Sequence, residues 1–127
     1  FEPGHSWADG ELALQVSSSD DDGLGVAFRF NSPEHYYVWS MDRQRRFHIL
    51  GKKQGDTYET LAKNTATYVP NQWYDVRVVL DGAKITVYVD GQKDLEATDK
   101  TFAEGTIALY SWGCAGAKFR NVRWTPK

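Results

Sequence analysis

Hydrophobic and polar residues alternate along most of this 127-residue chain. Leu12, Leu14 and Val16 are separated by Ala13 and Gln15, and the same spacing recurs further along the sequence. The later runs of this kind are Val26–Phe30, Tyr37–Met41, Tyr74–Leu80, Ile85–Val89 and Ile107–Leu109. A period of two residues lets a β-strand bury one face and leave the other in water. Helical spacing is nearly absent, so the pattern predicts an all-β protein. The residues expected to be nearly buried in its core are Phe28, Phe30, Trp39, Val76, Val78, Val87 and Leu109.

Turn signals fall between these runs at hairpin spacing. Asp22-Gly23, Asp81-Gly82 and Asp90-Gly91 each separate two alternating segments. About ten strands in a chain of this length predict a single antiparallel two-sheet β-sandwich of the jelly-roll type that spans residues 1–127. The irregular segment Lys63–Asn71 is expected to carry the chain from one sheet to the other.

Composition and charge exclude several classes of function. The 15 basic and 17 acidic residues give a net charge of −2, which argues against a general nucleic-acid binder. No apolar stretch approaches the roughly 20 residues that a membrane-spanning helix needs, so membrane insertion is not expected. Cys114 is the only cysteine, which leaves no internal disulfide and no cysteine-based zinc site, and we expect an inert thiol.

The carboxylates do not form a recognisable catalytic pair. A retaining glycosidase holds two carboxyl groups about 5 Å apart, and jelly-roll glucanases carry them in a Glu-x-Asp-x-x-Glu pattern that is absent here. Glu96 and Asp99 have the wrong spacing, and the three histidines are scattered. The sequence therefore predicts no catalytic residues.

An acidic run precedes the second predicted strand. Asp20, Asp21 and Asp22 lie directly before Gly23. Clustered carboxylates are ligands that calcium prefers, whereas Asp-Gly alone is also typical of a solvated hairpin turn. Both interpretations stay open, and the expected cofactor is a structural calcium ion.

A basic run surrounds the third and fourth predicted strands. It consists of Arg43, Arg45, Arg46, Lys52 and Lys53, with no acid among them. Such a run can protect an edge strand, or it can bind carboxylated or sulfated sugars because guanidinium groups match these anions. An acidic saccharide is therefore one expected class of ligand.

Strand parity predicts a shared outward surface. If Phe28 and Tyr37 face the core, then Arg29, Tyr36 and Asp42 face outward together. His48 joins them if the next hairpin keeps register, while the outward aromatic candidates are Tyr88, Tyr110 and Trp112. An aromatic surface edged by hydrogen-bonding groups suits the flat faces of sugar rings. The alternative is that loops cover these aromatic residues as a second small core.

Several longer runs resemble a known family. They are Asp22–Phe30, Tyr36–Asp42, Gln72–Val78, Val87–Gly91 and Gly105–Tyr110. These runs are similar to laminin-G-like and concanavalin A-like jelly rolls, above all to bacterial carbohydrate-binding modules and thrombospondin C-terminal-like domains. The resemblance implies a monomeric module of a larger, secreted bacterial protein, commonly attached to a polysaccharide-degrading enzyme and often holding calcium. It also implies that Arg29 and Asp42 contact sugar and that Asp20–Asp22 bind the metal.

These observations favour a noncatalytic carbohydrate-binding module that binds a polysaccharide or oligosaccharide. Stacking on tyrosine or tryptophan would combine with hydrogen bonds from Arg29, Asp42 and the turn that contains Arg43 and Arg45. Two alternatives remain, namely an extracellular adhesion domain that binds a protein and a small polysaccharide-active hydrolase or lyase.

Overall fold

The computed structural model describes residues 7–112 and 116–127, and for Trp112 it describes the backbone alone. These residues form ten β-strands and no helix, and hence no helix that could cross a membrane. The strands are β1 (Gly10–Ser18), β2 (Gly23–Ser32), β3 (His35–Asp42), β4 (Phe47–Gln54), β5 (Thr57–Asn64), β6 (Tyr74–Asp81), β7 (Lys84–Val89), β8 (Gln92–Thr98), β9 (Thr106–Trp112) and β10 (Ala117–Pro126).

The strands pair into two antiparallel sheets of five. The sheet with the order β5-β4-β3-β2-β9 is called the front sheet here, and the sheet with the order β10-β1-β6-β7-β8 is called the back sheet. Residues 65–73 connect β5 of the front sheet to β6 of the back sheet, as the irregular segment predicts. The predicted all-β, two-sheet jelly roll is confirmed.

The core lies between the sheets and follows the predicted parity over most of its extent. Phe28 and Trp39 from the front sheet and Val76, Val78 and Val87 from the back sheet are at most 1% exposed. Full burial of side chains of this size stabilises the fold by about 1.5–3 kcal/mol each, which makes the sandwich interior the main source of its stability.

Parity fails in β2 after Phe28 because of a β-bulge. Ala27 pairs with Ala108 and Phe30 pairs with Thr106, so two residues of β2 lie opposite one residue of β9. The extra residue is Arg29, whose φ is 45°. The bulge turns Arg29 inward and Phe30 outward, which makes the predicted burial of Phe30 wrong.

Leu109 is the second exception to the predicted core. It pairs with buried Val26 and therefore faces inward, yet it is 44% exposed because β9 is the edge strand of the front sheet. The prediction that Leu109 is nearly buried is wrong, since parity gives the direction of a side chain and says nothing about whether another layer covers it.

Polar groups also link the two sheets. Asp94 of β8 accepts hydrogen bonds from Trp39 Nε1 at 2.9 Å and from Asn64 Nδ2 at 2.9 Å. Asp99, which follows β8, accepts hydrogen bonds from Tyr37 Oη at 2.6 Å and Lys52 Nζ at 2.9 Å. The front sheet is thereby fixed to the segment around β8 by directional contacts as well as by apolar packing.

Candidate functional site

The outer face of the front sheet has a floor of small side chains. Gly25 lies next to Ser40 in the adjacent strand, and the neighbouring row contains Ala27, Val38 and Gly51. A Cβ atom at Gly25 would collide with the backbone oxygen of Trp39, so this close approach of β2 to β3 requires glycine. The small floor leaves a depression in the middle of the sheet.

A pocket of about 370 Å³ opens at this depression. We call it the front pocket, and its lining residues are Gly23, Ser40, Asp42, Arg45, Phe47, Ile49, Tyr58 and Tyr110. Tyr58 comes from the edge strand β5 and Tyr110 from the opposite edge strand β9. Two aromatic side chains from the two edge strands therefore line the front pocket, together with Phe47 and Ile49 of β4.

The tyrosine hydroxyl groups near the front pocket stay protonated at neutral pH. Tyr58 is 47% exposed, but its hydroxyl end lies against Gly51. Burial of this end, with smaller contributions from Tyr110 and Tyr36, raises the pKa of Tyr58 to about 12. Burial also raises the pKa of Tyr110 and of Tyr36. These phenols can thus donate and accept hydrogen bonds without carrying charge.

An ion pair closes one end of the front pocket. Asp42 is 3% exposed and accepts hydrogen bonds from the backbone N–H of Arg45 at 2.8 Å and from its Nη1 at 2.7 Å. The same Nη1 lies 3.8 Å from Asp22 Oδ1. The carboxylate of Asp42 therefore fixes the guanidinium of Arg45 at the pocket, where it can meet a polar ligand.

Some predicted site residues do come together on this face. Tyr36 and Asp42 lie on the outer face of β3, and Tyr36 stacks on Phe30 with ring centroids 5.4 Å apart. Tyr110 and Asp42 line the front pocket. Their role in binding sugar stays a prediction.

Two further candidates lie near the pocket end. Arg43 is exposed in the turn between β3 and β4, beside Arg45. The backbone of Trp112 pairs with Gly23, which lines the pocket, whereas the side chain of Trp112 lies outside the described residues. The Cys114 prediction also falls outside them.

The predicted outward position of Arg29 is wrong. Arg29 is 2% exposed, and its guanidinium donates hydrogen bonds to the backbone oxygens of Gly82 (2.8 Å), Phe102 (3.2 Å) and Ala8 (3.3 Å). A fourth hydrogen bond joins Nη2 to Asp9 Oδ1 at 3.2 Å. Because the bulge turns it inward, Arg29 is a structural residue that ties three loops to β2.

His48 also faces the interior, which contradicts its predicted place on the outer surface. Phe47 pairs with Asp42, so Phe47 and Ile49 face outward and His48 faces inward opposite Met41. His48 is 4% exposed, and its Nδ1 lies 2.9 Å from Asp94 Oδ2. The register across the turn between β3 and β4 decides this orientation.

Tyr88 lies on the other side of the molecule. It belongs to β7 of the back sheet, pairs with Arg77 and packs under the Arg77 guanidinium at 4.7 Å. It therefore shares no surface with Tyr36 or Tyr110, and the predicted single surface containing all three is wrong.

Sequence reasoning missed Tyr58, Phe47 and Ile49 as pocket residues. The exposed strand β5 carries little apolar alternation, which hides Tyr58 from a search for core faces. The usable signal is the turn Gly55-Asp56, because it fixes the pairing of Tyr58 with Lys53 on the outer face.

The acidic loop lies beside the pocket end. Each of Asp20, Asp21 and Asp22 can place a carboxylate oxygen within 4.8 Å of the others. Burial and the neighbouring carboxylates raise the pKa of Asp22. Tyr68 Oη donates a hydrogen bond to the backbone oxygen of Asp22 at 2.7 Å, which fixes the loop. Calcium binding at this loop stays a prediction.

Solved structures share this fold. A carbohydrate-binding module of the CBM66 group from Bacillus subtilis superposes with a TM-score of 0.87 and 20% identity over 95% of this chain and 77% of that chain. The Caenorhabditis elegans galectin LEC-6 gives a TM-score of 0.75 and 11% identity over 98% of this chain and 92% of that chain. At these identities the likeness establishes the fold, and it confirms the predicted resemblance to jelly-roll carbohydrate-binding modules at that level.

Sequence comparison identifies the family. Comparison with curated proteins found no match. A family model described as a 3-keto-alpha-glucoside-1,2-lyase-like domain matches residues 4–125, which is nearly the whole chain. The chain therefore belongs to the family of 3-keto-alpha-glucoside-1,2-lyase-like domains.

Proposed function

We propose that this domain binds carbohydrate in the front pocket. The observation that carries the proposal is the arrangement of Tyr58 and Tyr110 on opposite sides of a small-residue floor. Sugar rings present flat C–H faces that pack on aromatic rings, while Ser40 and Arg45 supply hydrogen bonds for hydroxyl groups. The fold that the chain shares with a carbohydrate-binding module and with galectins supports the same function.

The charges in the front pocket suit binding better than proton transfer. Asp42 is already paired with Arg45 at 2.7 Å, so its carboxylate is engaged in an ion pair and holds the guanidinium in place. The pKa of Tyr58, about 12, lies far above neutral pH, and a catalytic base works best when its pKa is near the working pH. Both groups are therefore suited to orient a ligand rather than to remove a proton from it.

Affinity electrophoresis tests the proposal directly. The domain is run in native gels that contain neutral or acidic polysaccharides, and the retarding polysaccharide is then titrated by calorimetry. Tyr110→Ala and Tyr58→Ala should each weaken binding about tenfold or more, since each removes an aromatic wall and a hydroxyl partner.

Tyr88→Ala is the matched control, because it removes the same side chain from the opposite sheet. It should leave retardation by a neutral polysaccharide unchanged, which is the relevant comparison because Tyr88 also lines a pocket of the back sheet under Arg77. Equal weakening by Tyr88→Ala, or full binding by Tyr110→Ala, would exclude the front pocket as the site. An adhesion domain for a protein partner would show no retardation by any polysaccharide.

The family match favours a second candidate, a 1,2-elimination on a 3-keto-glucoside. In this reaction a base takes the proton from C2, the C1–O bond breaks, and the departing oxygen receives a proton. Asp22 is the carboxylate to test, because it lies 3.8 Å from Arg45 at the pocket end and its pKa is raised. Incubation with a 3-keto-alpha-glucoside should then yield an unsaturated ketone that absorbs in the ultraviolet, and Asp22→Asn should abolish this product.

The proposal extends to the setting of the domain. We infer a monomeric module that directs a secreted bacterial protein to its polysaccharide, because a small domain with a pocket lined by aromatic residues is suited to localisation. Fusion of the domain to a fluorescent protein should retain that protein on the polysaccharide that causes retardation, and the Tyr110→Ala fusion should wash off.

A further inference from the structure

The back sheet carries a second pocket on its outer face. It has a volume of about 580 Å³, and the residues that matter for its chemistry are Ala13, Gln15, Arg77, Asn121 and Arg123. This pocket, called the back pocket here, lies on the side of the sandwich opposite the front pocket. We propose that it is a second ligand site, which binds a carboxylated sugar through Arg77 and Arg123.

Strand pairing places two arginines on either side of an alanine. Ala13 of β1 pairs with Arg77 of β6 on one side and with Arg123 of β10 on the other, so the three side chains share the outer face. Neighbouring strands are about 4.8 Å apart, which separates the two arginine Cα atoms by about 10 Å. Ala13 contributes only a methyl group, and the two long side chains can converge on one anion above it.

A β-bulge opens the back pocket next to these arginines. Ala13 pairs with Arg123 but Gln15 pairs with Arg120, so β10 has one residue more than β1 in this interval. Asn121 lies in the bulge with a φ of 56°. The bulge turns the Asn121 amide toward Gln15 and leaves room between the two strands.

The amide groups in the back pocket are held in position. Gln15 Oε1 accepts hydrogen bonds from Asn121 Nδ2 at 2.7 Å and from Arg120 Nε at 2.9 Å. Gln15 Nε2 donates a hydrogen bond to Asp75 Oδ1 at 2.6 Å, which occupies one carboxylate oxygen of Asp75, an acid that also lines the back pocket. Amide groups held in this way can form hydrogen bonds with the hydroxyl groups of a sugar and lose little side-chain conformational entropy on binding.

The two arginines keep hydrogen-bond donors for a ligand. Arg77 Nη1 donates a hydrogen bond to Glu11 Oε1 at 3.1 Å, and the guanidinium carbon of Arg77 lies 4.7 Å from the centroid of the Tyr88 ring. Within the described part of the chain, the Arg123 side chain takes part in no hydrogen bond or ion pair. A guanidinium has five donors arranged as a planar fork that matches a carboxylate, so the pair can neutralise an acid group while the amides hold the ring that carries it.

Nuclear magnetic resonance tests the back pocket without assuming any activity. Isotope-labelled domain is titrated with trigalacturonate and, separately, with its fully methyl-esterified form, which has the same rings without the charge. The acid should shift the amide signals of Ala13, Arg77, Asn121 and Arg123, and the ester should bind at least tenfold more weakly.

Arg123→Ala is the decisive variant, because its side chain has no structural partner among the described residues and the fold should persist. It should weaken trigalacturonate binding about tenfold or more, and Arg123→Lys should recover only part of the loss. Lys118→Ala removes one positive charge from the same strand and should have no such effect.

Three outcomes would overturn the proposal. They are full affinity in Arg123→Ala, equal affinity for the methyl ester, and equal affinity for inorganic phosphate, which would show that the rings are not recognised. Tyr110→Ala separates the two sites, since it should weaken binding in the front pocket about tenfold or more and leave the trigalacturonate shifts on the back sheet unchanged. The back pocket can therefore fail or succeed independently of the proposed function.

Discussion

Replacing Arg29 should unfold the domain early rather than weaken ligand binding. The guanidinium donates four hydrogen bonds, to the backbone oxygens of Ala8, Gly82 and Phe102 and to the carboxylate of Asp9. Arg29→Ala leaves these acceptors without their donor and also opens a cavity under the bulge. A hydrogen bond of this kind contributes about 1 kcal/mol, and breaking a buried charged contact costs about 3–5 kcal/mol in total.

This loss corresponds to a large change in melting temperature. A domain of this size loses about 4 °C per kcal/mol, so Arg29→Ala should melt about 12–20 °C lower. Arg29→Met keeps most of the side-chain volume and removes the hydrogen-bond donors, so its melting temperature should fall less than that of Arg29→Ala. The difference between the two variants separates the contribution of the cavity from that of the hydrogen bonds. The measurement is thermal and urea unfolding followed by tryptophan fluorescence, with Arg77→Ala as an exposed-arginine control.

A melting temperature of Arg29→Ala less than about 3 °C below that of the parent domain would refute the reasoning. Four acceptor groups lose their donor in this variant, and local relaxation of the structure could not supply new donors to all of them. A second result would refute it as well. If folded Arg29→Ala at low temperature lost affinity for the polysaccharide that retards the parent domain, Arg29 would contact ligand after all.

Three further predictions concern the pocket floor, the interior and the acidic loop. Gly51→Ala should fold normally but weaken polysaccharide binding several-fold in calorimetry. The new Cβ atom would meet the hydroxyl end of Tyr58 and displace that flexible side chain, so unchanged affinity would contradict the prediction. Burial by itself raises the pKa of Asp99, but hydrogen bonds from Tyr37, Lys52 and Thr101 outweigh it and hold the pKa well below its usual value of 3.8. The stabilisation by Asp99 is therefore complete above about pH 5 and is lost as the pH falls below that value. The free energy of unfolding in urea should depend less steeply on pH for Asp99→Asn than for the parent domain, and equal pH dependence would contradict this reasoning. If Asp20–Asp22 bind calcium, a chelator should lower the melting temperature and calcium should restore it, whereas an unchanged melt would leave a simple turn.

The sequence predicts the fold well because alternation is a direct consequence of burial. Phe28 and Trp39 are buried as their parity requires, and the turn signals lie between the strands. Parity carries no information about insertions within a strand, so the bulge at Arg29 reverses the expected orientations of Arg29 and Phe30 within β2. The bulge is stabilised by a residue far along the sequence. Gly105, directly before β9, lies so close to the backbone of Arg29 that a Cβ atom at Gly105 would collide with it.

The candidate site depends on pairing that local patterns do not contain. His48 faces inward because Phe47 pairs with Asp42 across a four-residue turn, and a different turn would have reversed the strand. Tyr88 and Tyr110 have the same outward parity but belong to different sheets, which only the strand order reveals. Tyr36 and Asp42 could be placed together because they lie on one strand, where no long-range information is needed.

The acids around β8 determine how the two layers are aligned. Asp94 and Asp99 hold Trp39, His48 and Lys52 through contacts whose geometry tolerates little translation. Apolar packing is not directional in this way, so without these carboxylates the sheets could slide past each other while each kept its own hydrogen bonds. A domain lacking both acids would then retain its far-ultraviolet circular dichroism and lose the near-ultraviolet signal of Trp39, because the fixed environment of the indole would be gone.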